Sequence, residues 1–318
     1  MRAAAVLLAA LLAASPLAAA EEEPSTPVLA EEIVVTGVQP GPRMWVVEDA
    51  DSEVWILGTN RSLPKKVKWD TSLVERVLTG ANLVVTQVEV KVSPFRVVDI
   101  LLTDRELFFL PKKQTLASVL EPELFARLET ARKQLEVESP RFQRLRPPIA
   151  GGMLLGRAVE RAALNGKPPH EQVENLARRR GVKVRPLRTY RGRDFIRNAD
   201  KVTPAAESAC LAATLAIIEK GMPAVRAYAD AWARGDVAYL RGHPPPVELK
   251  RCEQELTDSV DFFKEAVDEV NAAYVQEVEA GLAAPGKRLI LIAIDDAITP
   301  QTGLIDRLRA RGYAVEGP

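Results

Sequence analysis

The chain has 318 residues, 47% hydrophobic and 27% charged, and its 43 basic and 43 acidic residues cancel to a formal net charge of zero. That balance suits a globular protein with a sizeable core and gives no reason to expect nucleic acid or an anionic membrane as partner. Aromatics make up 5%, against an aromatic-lined sugar groove, and the two histidines, His170 and His243, lie too far apart in sequence to suggest a His-based zinc site.

Residues 1–20, MRAAAVLLAALLAASPLAAA, carry one positive charge, an apolar run, a proline-containing break and small residues. This is the pattern of a secretory signal peptide with cleavage after Ala20; an alanine-rich helix of the mature protein is the alternative. The apolar run is short for a membrane span, and no cysteine follows it to carry a lipid, so no stable membrane anchor is expected. The Ala- and Arg-rich composition suits a bacterial protein, for which export leads to the periplasm. That space is oxidising. Cys210 and Cys252 are then a candidate disulfide, with two buried free thiols as the alternative.

Residues 21–43 read as an acidic, proline-containing leader, expected to be flexible, and 44–318 as a single domain. The domain opens with a hairpin, RMWVVED and EVWILGT, turning at DADS. TSLVERVLTGA places Leu73, Val74, Val77 and Leu78 at helical spacing and ends at Gly80. NLVVTQVEVKV, β-branched and almost continuously apolar, reads as one buried strand. ELFFLP reads as a further short strand. LEPELFARLETARKQLEV, RLRPPIAGGMLLGRAVERAALNG and PHEQVENLARRRG read as helices, the last feeding the strand VKVRPLRTY through Gly181. More helix follows in PAAESACLAATLAIIEKGMPAVRAYADAWARGD and in a long pair over 244–283. The chain closes with the strand KRLILIAID, a loop DAITPQT, the helix GLIDRLRARG and a strand YAVEG. The order predicts an α/β fold: a central mixed β-sheet flanked by helices, with a large helical insertion between the sheet halves.

Six strings in order resemble the TraB/GumN family, which includes the TIKI-type metalloproteases. They are MWVVEDADSEVWILGT, SLP followed by KWDTSLVERVLTGANLVV, NLARRRGVKVRPLRTY, ADAWARGDVAYL and GLIDRLRARGYAVEGP. The resemblance covers about residues 44–318.

The resemblance also implies where a site should lie. The family's Gly-x-x-His motif corresponds to Gly58, Thr59, Asn60 and Arg61, so Arg61 stands where the family has a proposed His ligand. A guanidinium stays protonated and has no lone pair for a metal. The family's acidic position after the next strand corresponds to Gln87, in the string Thr86-Gln87-Val88-Glu89; an amide cannot act as a general base. The final Gly-x-Gly-His motif corresponds to the 294–302 loop, with Ala297 at or near the His position and no histidine in the region. Arg188 replaces a family Glu, and Val270-Asn271 replaces an Arg-Asn pair. Gly58, Thr59, Asn60, Arg61, Gln87, Glu89, Asp295, Asp296 and Ala297 are therefore the former-site positions. The resemblance implies a family scaffold without the family's metal chemistry, with no cofactor and no catalytic residues.

Two alternatives accompany that reading. Asp295 and Asp296, at the end of a strand, together with Glu89, offer three carboxylates for Mg²⁺ or Ca²⁺; turn or capping roles would explain the aspartates equally. Arg61 pairing with Asp295 or Asp296 would put a fixed cation where the family has an ion. His170 reads as a solvent-facing residue at a helix start, and the basic run Arg178–Arg193 as a solvated helix end and strand edge. The sequence leads to a non-catalytic exported protein binding a protein or small-molecule partner at the former cleft, or to a hydrolase with a rearranged carboxylate site.

Overall fold

The computed structural model describes residues 38–92 and 105–318. The expected signal peptide and residues 21–37 of the expected leader lie outside them. Residues 39–43 belong to the fold rather than to a leader. Gln39 N–H donates to the Lys68 carbonyl at 2.8 Å, Asp70 N–H to the Gln39 carbonyl at 2.7 Å, and Gly41 N–H to the Ala233 carbonyl at 2.8 Å.

The expected hairpin forms from β1 (Met44–Glu48) and β2 (Ser52–Thr59), with Asp49 accepting from the Ser52 hydroxyl and N–H in the turn. Helix α1 (Ser72–Leu78) buries Val74, Val77 and Leu78, three of the residues whose spacing predicts it. The next predicted strand divides into β3 (Ala81–Thr86) and β4 (Glu89–Lys91). ELFFLP is not a strand: Arg105–Leu107 form a 3-10 turn, and only Phe109 bridges to Leu145. Helices α2 (Leu116–Val119), α3 (Pro122–Gln134), α4 (Pro147–Arg161) and α5 (Pro169–Arg179) follow. VKVRPLRTY likewise divides, into β5 (Lys183–Pro186) and β6 (Thr189–Arg191).

Then come α6 (Gly192–Ala199), α7 (Pro204–Lys220), α8 (Met222–Arg234), α9 (Val237–Gly242), α10 (Val247–Ser259) and α11 (Asp261–Leu282). The chain ends with β7 (Gly286–Ala293), α12 (Ile294–Ile298) and α13 (Leu304–Ala310). The loop expected at DAITPQT thus begins as a helical turn. YAVEG contributes one bridge, Val46 to Glu316, and no strand.

The main sheet has five strands in the order β1-β2-β7-β3-β5, antiparallel only at β1–β2. It is the expected mixed sheet of an α/β fold. Helices enter in two blocks, between β4 and β5 and between β6 and β7, rather than as one insertion. The pair β3/β5 continues as the separate parallel pair β4/β6 with its register kept: Thr86 faces Pro186, and Glu89 faces Thr189. Between the two pairs the strands stay bridged by backbone bonds, Leu187 N–H donating to the Thr86 carbonyl and Glu89 N–H to the Arg188 carbonyl, each at 2.9 Å.

Four apolar clusters form among the described residues, and two of them are large. The sheet cluster holds Trp45, Ile56, Leu57, Val84, Ile290 and Leu291 under the surrounding helices. A second, purely helical cluster holds Leu116, Leu128, Phe142, Leu154, Leu211 and Leu215. The disulfide Cys210–Cys252 ties α7 to α10 with a Cα–Cα distance of 4.5 Å. Buried Glu277 of α11 joins two strands by accepting from Arg185 of β5 at 2.6 Å and Arg288 of β7 at 3.1 Å.

Candidate functional site

Because β2, β7, β3 and β5 are mutually parallel, their carboxyl ends share one edge, the edge at which open α/β sheets bind ligands. Thr59 stands beside Ala293 there, and Val85 beside Ile290. Gly58 and Thr59 end β2, Gln87 follows β3, and Asp295 and Asp296 follow β7. The Gln87 side-chain amide donates to Thr59 Oγ1 at 2.9 Å, and Thr59 Oγ1 donates to the Ile292 carbonyl at 3.2 Å. One chain of hydrogen bonds therefore runs from β3 through β2 to β7, at a threonine only 3% exposed.

Helix α8 closes this edge. Trp232 Nε1 donates to the Gly58 carbonyl at 2.7 Å, and the Trp232 ring meets Trp69 edge-on at 5.5 Å. One turn earlier on the same face, the Tyr228 hydroxyl donates to the Asp295 carboxylate. Gly58 itself is fixed by a close approach: a Cβ there would stand 2.4 Å from Ile294 Cδ1. The Asp295 carbonyl accepts from the Thr299 hydroxyl at 2.5 Å, which shapes the turn after β7. Asp295 thus fills the expected turn role while presenting its carboxylate to Tyr228.

The remaining predicted residues scatter around this centre. Asn60 accepts from Ser62 N–H at 3.4 Å. Arg61 is exposed, near enough to His170 to oppose its protonation. His170 is half-buried rather than solvent-facing. Burial holds its imidazole below the ordinary value, Glu174 and Glu171 pull it back up, and Arg61 lowers it again. Asp296 acts on Arg307, whose guanidinium is lowered by burial and partly restored by that carboxylate; Arg307 donates to the Asn271 carbonyl at 2.7 Å. Ala297 is fully buried in the sheet cluster. Glu89 lies on the small sheet, 3.6 Å from Lys91 and accepting from the Thr189 hydroxyl at 3.4 Å. The structure therefore brings together Gly58, Thr59, Gln87 and Asp295, and sends Glu89 and the Ala297 methyl elsewhere.

These residues do not fit a metal of the kind the resemblance implies. One position is a cation, one is an amide already donating to Thr59, and one is a methyl group sealed in the core. Among the described residues no three His, Cys, Asp or Glu side chains gather at metal-ligand spacing. The three-carboxylate arrangement of Asp295, Asp296 and Glu89 does not assemble.

Two site residues escape the motif reading, Tyr228 and Trp232 of the lid; Thr59 is among its positions, but its part as the hub is not. The signal for the lid was in the sequence. Tyr228 and Trp232 stand four apart in ADAWARGDVAYL and its preceding turn, so a helix puts both rings on one face. Their partners could not be read, because they lie in β2 and in the turn α12 after β7, 174 and 67 residues away along the chain, a separation that periodicity does not encode.

Neither the curated proteins nor the solved structures contain a match to this chain. A family model does match, over residues 43–317, from the residue before the hairpin to the residue after the last bridge. The chain that stitches its strand ends with Thr59 and Gln87 belongs to the TraB/PrgY/gumN family.

Proposed function

We propose that this protein is an exported, non-catalytic member of its family that binds a ligand or protein partner at the carboxyl edge of its sheet. The observation that carries the reading is the Gln87–Thr59 hydrogen bond. At the position where the resemblance expects an acid, the side chain is a neutral amide built into the strand-to-strand ladder. Tyr228 and Asp295 set hydrogen-bonding and charged groups at that edge suited to recognition, without a general base paired to a nucleophile. Export to the periplasm rests on residues 1–20 and is supported by a cysteine pair at disulfide distance. Among the described residues no single helix is long and apolar enough to cross a membrane.

The test is metal analysis of the purified protein together with a peptidase assay with and without added divalent cations. Substoichiometric metal and no chelator-sensitive cleavage are expected. One tightly bound divalent ion per chain, lost in an Asp295→Asn/Asp296→Asn variant, would sink the proposal, as would cleavage abolished by a chelator.

A further inference from the structure

Away from the sheet edge, the helical block carries a half-open cavity of about 820 Å³. Its volume is in the range of sites for small organic ligands. Five cationic side chains line it: Arg105, Lys112, Arg141, Arg144 and Arg146. Among the described residues only two carboxylates do, and one of these, Glu207, is already engaged by Arg146 at 2.5 Å. The first residues of two long helices, Pro147 of α4 and Pro204 of α7, also line the space, so the positive ends of both helix dipoles add to the field.

A further feature points to an anion as the ligand. Arg144 Nε is buried with no hydrogen-bond partner, although the same guanidinium donates to the Leu110 carbonyl at 3.1 Å. Buried donors are rarely left unpaired in a finished structure. Phe109, Leu110, Val119 and Pro147 add apolar lining, with the Arg105 guanidinium 5.8 Å from the Phe109 ring centre. A site for an inorganic anion would have no use for that lining, and a site for a neutral apolar molecule would have no use for five cations.

We propose that this cavity binds an anionic amphiphile, a single carboxylate or phosphate head on an apolar body, with the head between Arg141, Arg144 and Lys112 and the body against Phe109 and Val119. The site is independent of the sheet edge and of whatever binds there. The Arg141 and Lys112 side chains are exposed and make no hydrogen bond or ion pair among the described residues, so replacing them should leave the fold intact.

The experiment is calorimetric titration of the purified protein with decanoate, decyl phosphate, decanol and inorganic phosphate, each below any micelle concentration. Decanoate or decyl phosphate should bind once per chain, and the comparison of the two identifies the preferred head. Decanol and phosphate alone should bind at least about tenfold more weakly, and Lys112→Gln/Arg141→Gln should weaken the amphiphile by about tenfold or more at unchanged melting temperature. The proposal is overturned if neither amphiphile binds, if decanol matches them, or if the double variant keeps full affinity.

Discussion

At Gly58 the end of β2 meets the backbone of the helical turn that follows β7, and only a hydrogen atom fits between them. The family's Gly-Thr therefore has a packing explanation before any chemical one. Gly58→Ala must push Ile294 away from the strand, or bend the strand away from Trp232. Overpacking of this kind costs about 1–3 kcal/mol. Equilibrium urea unfolding should register that loss; a variant as stable as the parent would mean the edge is softer than its contacts imply. Arg61 makes a second residue-scale prediction. His170 has a folded value below the ordinary 6.5, first because burial disfavours imidazolium. As pH falls below about 6.5 the unfolded chain takes up the proton first, so stability declines until pH passes the lower folded value, and then levels. Arg61→Gln removes one lowering influence and should raise the His170 midpoint in a proton NMR titration, where only His170 and His243 contribute imidazole signals. A midpoint that stays put or falls would place Arg61 too far away to act. The motif reading located the residues at this edge through Gly58, Thr59 and Gln87, but it could not find the hydrogen bonds among them. It also placed Ala297 and Glu89 at the site, because a sequence match assigns a backbone position and not the direction of a side chain.

At the scale of elements, periodicity served the helices better than the strands. Helix α1 follows from its apolar spacing, because its buried face is set by residues within one turn of each other. The strands β3 and β4, read as one, divide where β5 and β6 also divide, beyond Pro186. An apolar run looks the same whether or not its neighbour can pair, and pairing is decided by a partner about a hundred residues away. The terminal YAVEG fails as a strand for the same reason: it has one bridge and no second neighbour. The disulfide was legible as two cysteines in a chain whose first twenty residues read as a signal peptide, and the structure adds what it joins. Cys210 lies in α7, which supplies Leu211 and Leu215 to the helical cluster, while α10 has no buried residues of its own. A helix with so little buried surface depends on its tether. Closing a 42-residue span in the unfolded chain is worth about 4 kcal/mol in the chain-entropy view. Reduction, or Cys210→Ser/Cys252→Ser, should lower the melting temperature and expose α10 to proteolysis ahead of the sheet. Unchanged cleavage of 247–259 after reduction would show that α10 is held by its packing on α7 instead.

Over the whole molecule, the two large apolar clusters raise the question of how far the chain unfolds as one unit. The sheet cluster is assembled from residues spanning almost the entire described chain, from Met44 to Leu308. The helical cluster draws on residues 110–154 plus two side chains of α7, so its contacts are far more local. Local contacts can open without disrupting the sheet, whereas the sheet cannot open without releasing β7 and the helices on both faces. Leu128→Ala, at a fully buried position in the helical cluster, should cost about 2–5 kcal/mol there. Hydrogen exchange should then accelerate over 116–154 and 204–220 while β2, β3 and β7 keep their protection. Ile290→Ala, at the centre of the sheet, should accelerate exchange everywhere. If Leu128→Ala instead lowers protection evenly across sheet and helices, the clusters form one cooperative unit. The cationic cavity would then be stabilised by the same free energy as the sheet edge, and a ligand filling it would protect both regions alike.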